Sequence, residues 1–138
     1  MKRASTILTI LASVALSSAC SGEANEAPIP ELSVAQVASM LEAGEAVVVD
    51  ANNARTREQY GVIPGARLLS SSSSYDPATE LPADKSTNLV FYCGNFDCRA
   101  SDGAAARARE AGYTRVHVMR AGIAGWVEAG REVARPQS

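Results

Sequence analysis

Two runs of residues along the chain have almost no polar interruption, Ala46 to Asp50 and Leu89 to Tyr92, and a third strand is expected at Arg115 to Met119. Uninterrupted apolar runs of four or five residues, rich in β-branched and aromatic types, predict strands buried on both faces. A shorter strand is expected at Arg67 to Leu69. Helical patterns fall between these runs. Ser33 is placed to cap a helix with Val34, Val37, Met40 and Leu41 on one face, and Gly44 ends it. Asn52 to Tyr60 is polar with moderate helical character. Ser101 to Ala111 is alanine-rich, so that a helix there packs close to a sheet, with Ser101 as its cap, Asp102 in its first turn and Gly112 just past its end. Gly122 to Ala129, carrying Trp126, reads as a short final helix, and Gly130 to Ser138 trails away. Strands alternating with helices at this spacing predict an α/β fold, a parallel sheet flanked by helices on both faces.

The joints are equally legible. Gly61 to Ala66 makes a turn, and Leu81 to Lys85 links into the central run. The five serines Ser70 to Ser74, followed by Tyr75-Asp76-Pro77, read as a solvated surface loop.

Composition narrows the class. At 138 residues, 46% hydrophobic and 20% charged, the chain suits one globular domain and is too apolar for disorder. The net charge is -2. Beyond the first twenty residues, which hold Lys2 and Arg3 but no acid, eleven basic residues face 15 acidic ones, giving -4. That balance argues against a nucleic-acid partner.

Residues 1–20 have the parts of a secretory signal: Lys2 and Arg3, an apolar run from Ile7 to Leu16, then Ser17, Ser18 and Ala19. Small residues directly before Cys20 resemble the bacterial lipobox, with Leu16 four places ahead of the cysteine. Lipidation at Cys20, plain secretion and a retained anchor helix are three readings of this segment, and each places the domain outside the cytoplasm. The expected localisation is the periplasmic side of a bacterial membrane, reached through a lipid anchor at Cys20. Residues 21–29, small, acidic and proline-bearing, are expected to tether that anchor to a domain spanning 30–136.

The candidate chemistry sits where the central run ends. Leu89 to Tyr92 leads into Cys93-Gly94-Asn95-Phe96-Asp97-Cys98-Arg99 and then the alanine-rich helix. A loop between a strand end and a helix start aims backbone N–H groups and the positive end of a helix dipole inward, which makes an anion site. A cysteine there ionises more readily, its pKa falling from about 8.5 toward ~3.5 to 7.5. The expectation is therefore an ionised Cys93, open to solvent, in a bowl of inward-facing amides from Gly94, Asn95, Phe96, Asp97 and Cys98. Arg99 is the candidate for holding an anion, because a guanidinium binds two oxygens at once. The alternative for Arg99 is a surface ion pair with Asp97 or Asp102.

Taken in order, Val47-Val48-Val49-Asp50, Gly61-Val62-Ile63-Pro64-Gly65-Ala66, the strand ending in Tyr92-Cys93, and Gly112-Tyr113 through Val116, Val118, Gly122 and Trp126 resemble a rhodanese-like domain over about Pro30 to Pro136. The resemblance implies sulfurtransferase chemistry. A Cys93 thiolate takes a sulfane sulfur from a small anionic donor such as thiosulfate, becomes a persulfide, and passes the sulfur to a thiol or cyanide acceptor. It implies no cofactor. The pattern departs from the family at three places: Val62 stands where histidine is usual, Asp50-Ala51-Asn52 where Asp-x-Arg is common, and Arg99 follows Cys93 by six places instead of five. The longer Cys-x5-Arg spacing resembles the dual-specificity phosphatases and arsenate reductases of the same fold. Asp97 inside such a cradle would repel a phosphate dianion.

Cys98 carries two readings. As a resolving thiol it attacks the Cys93 persulfide or sulfenic acid and closes a disulfide, making the domain a redox-linked module; as a small hydrophobe it packs the loop. Cys98 lies five residues from Cys93, within disulfide reach if the Cα atoms approach to ~4.4 to 6.8 Å. Two cysteines beyond Cys20 and the single His117, inside an expected strand, offer no metal site. Asp50 orients the loop or caps structure, and Trp126 and His117 read as parts of the scaffold.

Overall fold

The computed structural model describes residues 27–136; the signal-like segment, Cys20 and the first part of the expected tether lie outside the described residues. In chain order the elements are α1 (Val34–Glu42), β1 (Val47–Asp50), α2 (Ala54–Tyr60), β2 (Arg67–Leu68), α3 (Pro77–Glu80), β3 (Leu89–Tyr92), α4 (Ala100–Glu110), β4 (Val116–Met119) and α5 (Gly122–Glu128). The four strands form one parallel sheet in the order β2-β1-β3-β4.

Strand alternation sorts the core into two layers. Val49, Leu89, Phe91 and Val118 face α4 through Ala104, Ala105 and Ala108. Val48, Val90, Tyr92 and Met119 face α1 and α5 through Val37, Ala38, Ile123 and Trp126. Both faces are thus covered, which is why β1 and β3 read as continuous apolar runs and not as alternating ones. All four residues of β3 are 0% exposed. Burial on this scale stabilises by about 1.5–3 kcal/mol for a side chain such as Phe91. The alanines of α4 bring helix and sheet together as their size predicts.

Ser33 caps α1 in a reciprocal box: its Oγ accepts from the Gln36 amide at 3.3 Å, and its own amide donates to Gln36 Oε1 at 2.9 Å. Pro30 to Leu32 runs alongside β4, with the Leu32 amide donating to Val118 O at 2.8 Å and the Val118 amide to Pro30 O at 3.0 Å. That pairing covers an otherwise open sheet edge.

Two segments differ from expectation. The serine run is a surface loop, but it is pinned at both ends. Ser70 donates through its amide and hydroxyl to the Glu80 carboxylate at 2.7 and 2.8 Å, and Tyr75 is 0% exposed, its hydroxyl donating to Ala104 O at 2.8 Å. The short helix α3 follows, capped by Asp76 with Pro77 at its start. The C-terminal segment, expected to trail away, returns to the domain. Ala134 and Val62 exchange amide hydrogen bonds of 2.8 and 2.9 Å, and Trp126 Nε1 donates to Glu132 O at 2.7 Å.

Candidate active site

The strand register fixes where the chemistry lies. Asp50 of β1 stands beside Tyr92 of β3, which stands beside Met119 of β4, so the three strands finish level. Ala51, Cys93 and Arg120 then leave the sheet along one edge, the edge at which ligands bind in open parallel sheets.

Cys93 is buried, 2% exposed, and joined to Cys98 in a disulfide with a Cα–Cα distance of 6.3 Å. This corrects the expectation of an open thiolate. The loop folds back on itself through Asn95, whose carbonyl accepts from the Cys98 amide and whose side chain accepts from the Asp97 amide, both at 3.1 Å. The turn carries the Cys98 sulfur over Cys93. It also engages two of the five amides that were expected to line an inward bowl. Cys98 is half-buried and packs against the core layer beneath α4.

The remaining loop residues divide by exposure. Asn95, Phe96 and Asp97 are exposed, Phe96 at 63%. Gly94 is held from below: its carbonyl accepts from the Ala124 amide at 3.0 Å, as the Cys93 carbonyl does from Ile123 at 2.9 Å. These two amides belong to the first turn of α5, so the helix N-terminus grips the loop by its backbone. Gly122 permits the approach, with φ at 63° and no room for a Cβ, which would fall 2.6 Å from Cys93 O.

Helix α4 begins at Ala100, its cap two residues earlier than expected. Arg99 occupies the cap position without a side-chain cap bond. Ser101, expected as the cap, is instead 1% exposed in the first turn, with Oγ 3.4 Å from Cys93 Sγ. An earlier helix start rotates the hydroxyl from the helix end toward the sulfur. Arg99 is 72% exposed along its side chain and pairs with Asp102 at 3.3 Å. Arg120 also reaches Asp102, at 2.8 Å, and Glu31 at 3.4 Å. Asp102 thus balances two guanidinium groups.

Behind the loop lies a buried polar knot that the sequence only half announces. Asp50, 0% exposed, accepts from the Asn52 amide at 2.7 Å and from Arg57 Nε at 3.0 Å. Arg57 also donates through Nη2 to the carbonyls of Asp50 and Leu69, at 3.0 and 2.9 Å. Position 52 holds asparagine, and the guanidinium comes from one helix further on. The signal was there: a buried aspartate without a neighbouring arginine calls for a cation on the inward face of α2. Tyr92 completes the knot, its hydroxyl accepting from the Ile63 amide at 3.0 Å. Burial, reinforced by the Asp50 carboxylate, pushes the phenol pKa up beyond its ordinary range. His117 and Trp126 lie in β4 and α5 as scaffold, and among the described residues no three His, Cys, Asp or Glu side chains gather as a metal site.

A doubly covered parallel sheet, one of whose inner strands delivers a cysteine to the N-terminus of a helix, defines the class as an α/β domain with a cysteine at the ligand-binding edge of its sheet. The family model for the rhodanese-like domain matches residues 33–129, and the chain belongs to that family. No curated protein matches. Among solved structures, thiosulfate sulfurtransferase from Pseudomonas aeruginosa is 25% identical with a TM-score of 0.64, over 80% of this chain and 21% of that one. The human single-domain sulfurtransferase is 27% identical with a TM-score of 0.57, over 74% and 96%. A Rhodopseudomonas palustris protein of unknown function, named as a possible tyrosine phosphatase, is 24% identical with a TM-score of 0.62, over 77% and 85%.

Proposed function

We propose that the protein, once Cys93 is reduced, is a sulfurtransferase with Cys93 as nucleophile and persulfide carrier. The observation that carries this reading is the position of Cys93: the end of the central strand, facing the first turn of α4, with the Ser101 hydroxyl beside it. A freed thiolate there is favoured by the helix dipole and by a hydroxyl donor. It attacks the outer sulfur of thiosulfate, the sulfur–sulfur bond of the donor breaks, and sulfite leaves with the electron pair. The outer sulfur of the Cys93 persulfide then passes to a thiolate or to cyanide, and the Cys93 thiolate returns. Arg99, 72% exposed along its side chain beside the loop, attracts the anionic donor. The names of the Pseudomonas and human neighbours support the same chemistry.

A second reading, a redox-linked dithiol module, is favoured specifically by the Cys93–Cys98 disulfide. The same bond supports export to an oxidising compartment and, with the residues before Cys20, attachment there by a lipid. In the prereduced protein, thiosulfate and cyanide should yield thiocyanate, and Cys93→Ser should abolish the product while Cys98→Ser retains it. Equal rates in wild type and Cys93→Ser would remove the sulfurtransferase reading. Thiol–disulfide turnover without any thiocyanate would leave the module.

A further inference from the structure

The disulfide has two unequal sulfurs. Cys93 is 2% exposed at the floor of the loop, whereas Cys98 is half-buried on a segment whose other residues, Asn95 to Asp97 and Arg99, are exposed. A thiolate approaching from solvent, in line with the bond, therefore meets Cys98. The electronic preference has the same direction. The sulfur that departs on this route, Cys93, is released toward the N-terminal turn of α4, with the Ser101 hydroxyl 3.4 Å away to donate to it. Arg99, next to Cys98 and 72% exposed, favours the arrival of a negative nucleophile.

Phe96 gives the nucleophile a surface. It is 63% exposed at the tip of the loop, two residues from the sulfur under attack. A small-molecule thiol has no use for an aromatic ring standing in water beside the bond it opens. A protein does, because aromatic anchors supply much of the binding energy of small interfaces.

We propose that the Cys93–Cys98 disulfide is opened by a dithiol protein that docks over Phe96 and attacks Cys98, releasing Cys93 as the thiolate; this rests on, and deepens, the sulfurtransferase reading. One thiolate of the partner forms a bond to Cys98 Sγ as the Cys93–Cys98 bond breaks, and the electron pair leaves on Cys93 Sγ. The partner's second thiol, giving up its proton, attacks the partner's own sulfur in the mixed disulfide and expels Cys98, which takes up a proton. Two electrons pass to this chain and the partner ends as a disulfide. The freed Cys93 is the sulfur-accepting form, so sulfur loading is gated by the partner's reducing power.

The test uses the full chain purified without reductant and, as probe, thioredoxin whose second active-site cysteine is serine, so that the mixed disulfide persists. After alkylation with iodoacetamide, chymotrypsin cuts behind Phe96 and separates the two cysteines. The expected product carries thioredoxin on the Cys98 peptide and an alkyl group on Cys93. Thioredoxin on Cys93, or no adduct where dithiothreitol still reduces the bond, overturns the proposal. Phe96→Ser should slow reduction by intact thioredoxin at least about fivefold while leaving reduction by dithiothreitol unchanged; equal effects on both, or none, overturn the docking surface. Sulfur loading is read separately, as the gain of one sulfur on Cys93 of prereduced protein after thiosulfate. Its failure alongside a Cys98 adduct sinks the sulfurtransferase reading alone.

Discussion

Replacing Arg57 with alanine removes three hydrogen bonds at once and leaves Asp50, 0% exposed, without its cation. The Arg57 side chain is itself only 12% exposed, so water screens the pair little. Charge-assisted hydrogen bonds contribute about 1.5–3 kcal/mol each, but these three share one side chain and do not add. The relevant magnitude is that of breaking a buried pair by deleting one member, about 3–5 kcal/mol. Against a total stability of about 5–15 kcal/mol for a domain, that is a large fraction. With a urea slope of about 2 kcal/mol per M, the unfolding midpoint should fall by roughly 2 M. Trp126, the single tryptophan and 5% exposed, reports the transition by fluorescence. If the uncompensated charge is the cause, adding Asp50→Asn to the Arg57→Ala background should recover more than about 1 kcal/mol. A loss below about 1 kcal/mol in Arg57→Ala, or no recovery in the double variant, would refute the claim that this pair fixes the floor of the site.

The grip of α5 on the loop and the serine clamp give two further outcomes. Gly122→Ala places a Cβ against the Cys93 and Gly94 carbonyls at a φ that costs a side chain about 1–2 kcal/mol; sulfur loading of the prereduced protein should drop sharply while the fold, read by circular dichroism, persists, and full loading would refute the positioning role. Burial alone would raise the Glu80 pKa, but hydrogen bonds from the Ser70 and Asp76 amides and the Ser70 hydroxyl hold it below its ordinary 4.5. Its contribution to the serine loop is therefore present above the unfolded value and lost as pH falls through the folded one, so amide exchange at Ser70 and Asp76 should rise in acid in wild type and become pH-insensitive in Glu80→Gln once the intrinsic exchange rate is divided out; parallel curves would count against it.

What could be read from the residues divides along a physical line. The strands, the alternation and the α1 cap are properties of short windows: β3 is apolar throughout because both its faces are covered, and Ser33 with Gln36 three residues on is a complete local device. The position of Cys93 followed from the same logic, since a buried run must end somewhere and its end faces a helix start. The features that escaped are those set by the approach of distant segments. Four residues make α3, and its leading end is held by the Asp76 cap and by Tyr75, inserted under Ala104. Arg57 reaches Asp50 across seven residues, and Gly122 matters because α5 meets a loop 28 residues upstream. Cys98 belongs to both kinds. Its spacing made a bond to Cys93 permissible, yet whether the loop stayed open or folded shut depended on the Asn95 turn, which takes the Asp97 and Cys98 amides that an open cradle would have offered an anion. The disulfide and the occupied amides therefore belong to one loop conformation: the turn that holds Cys98 over Cys93 is the same turn that takes up the Asp97 and Cys98 amides.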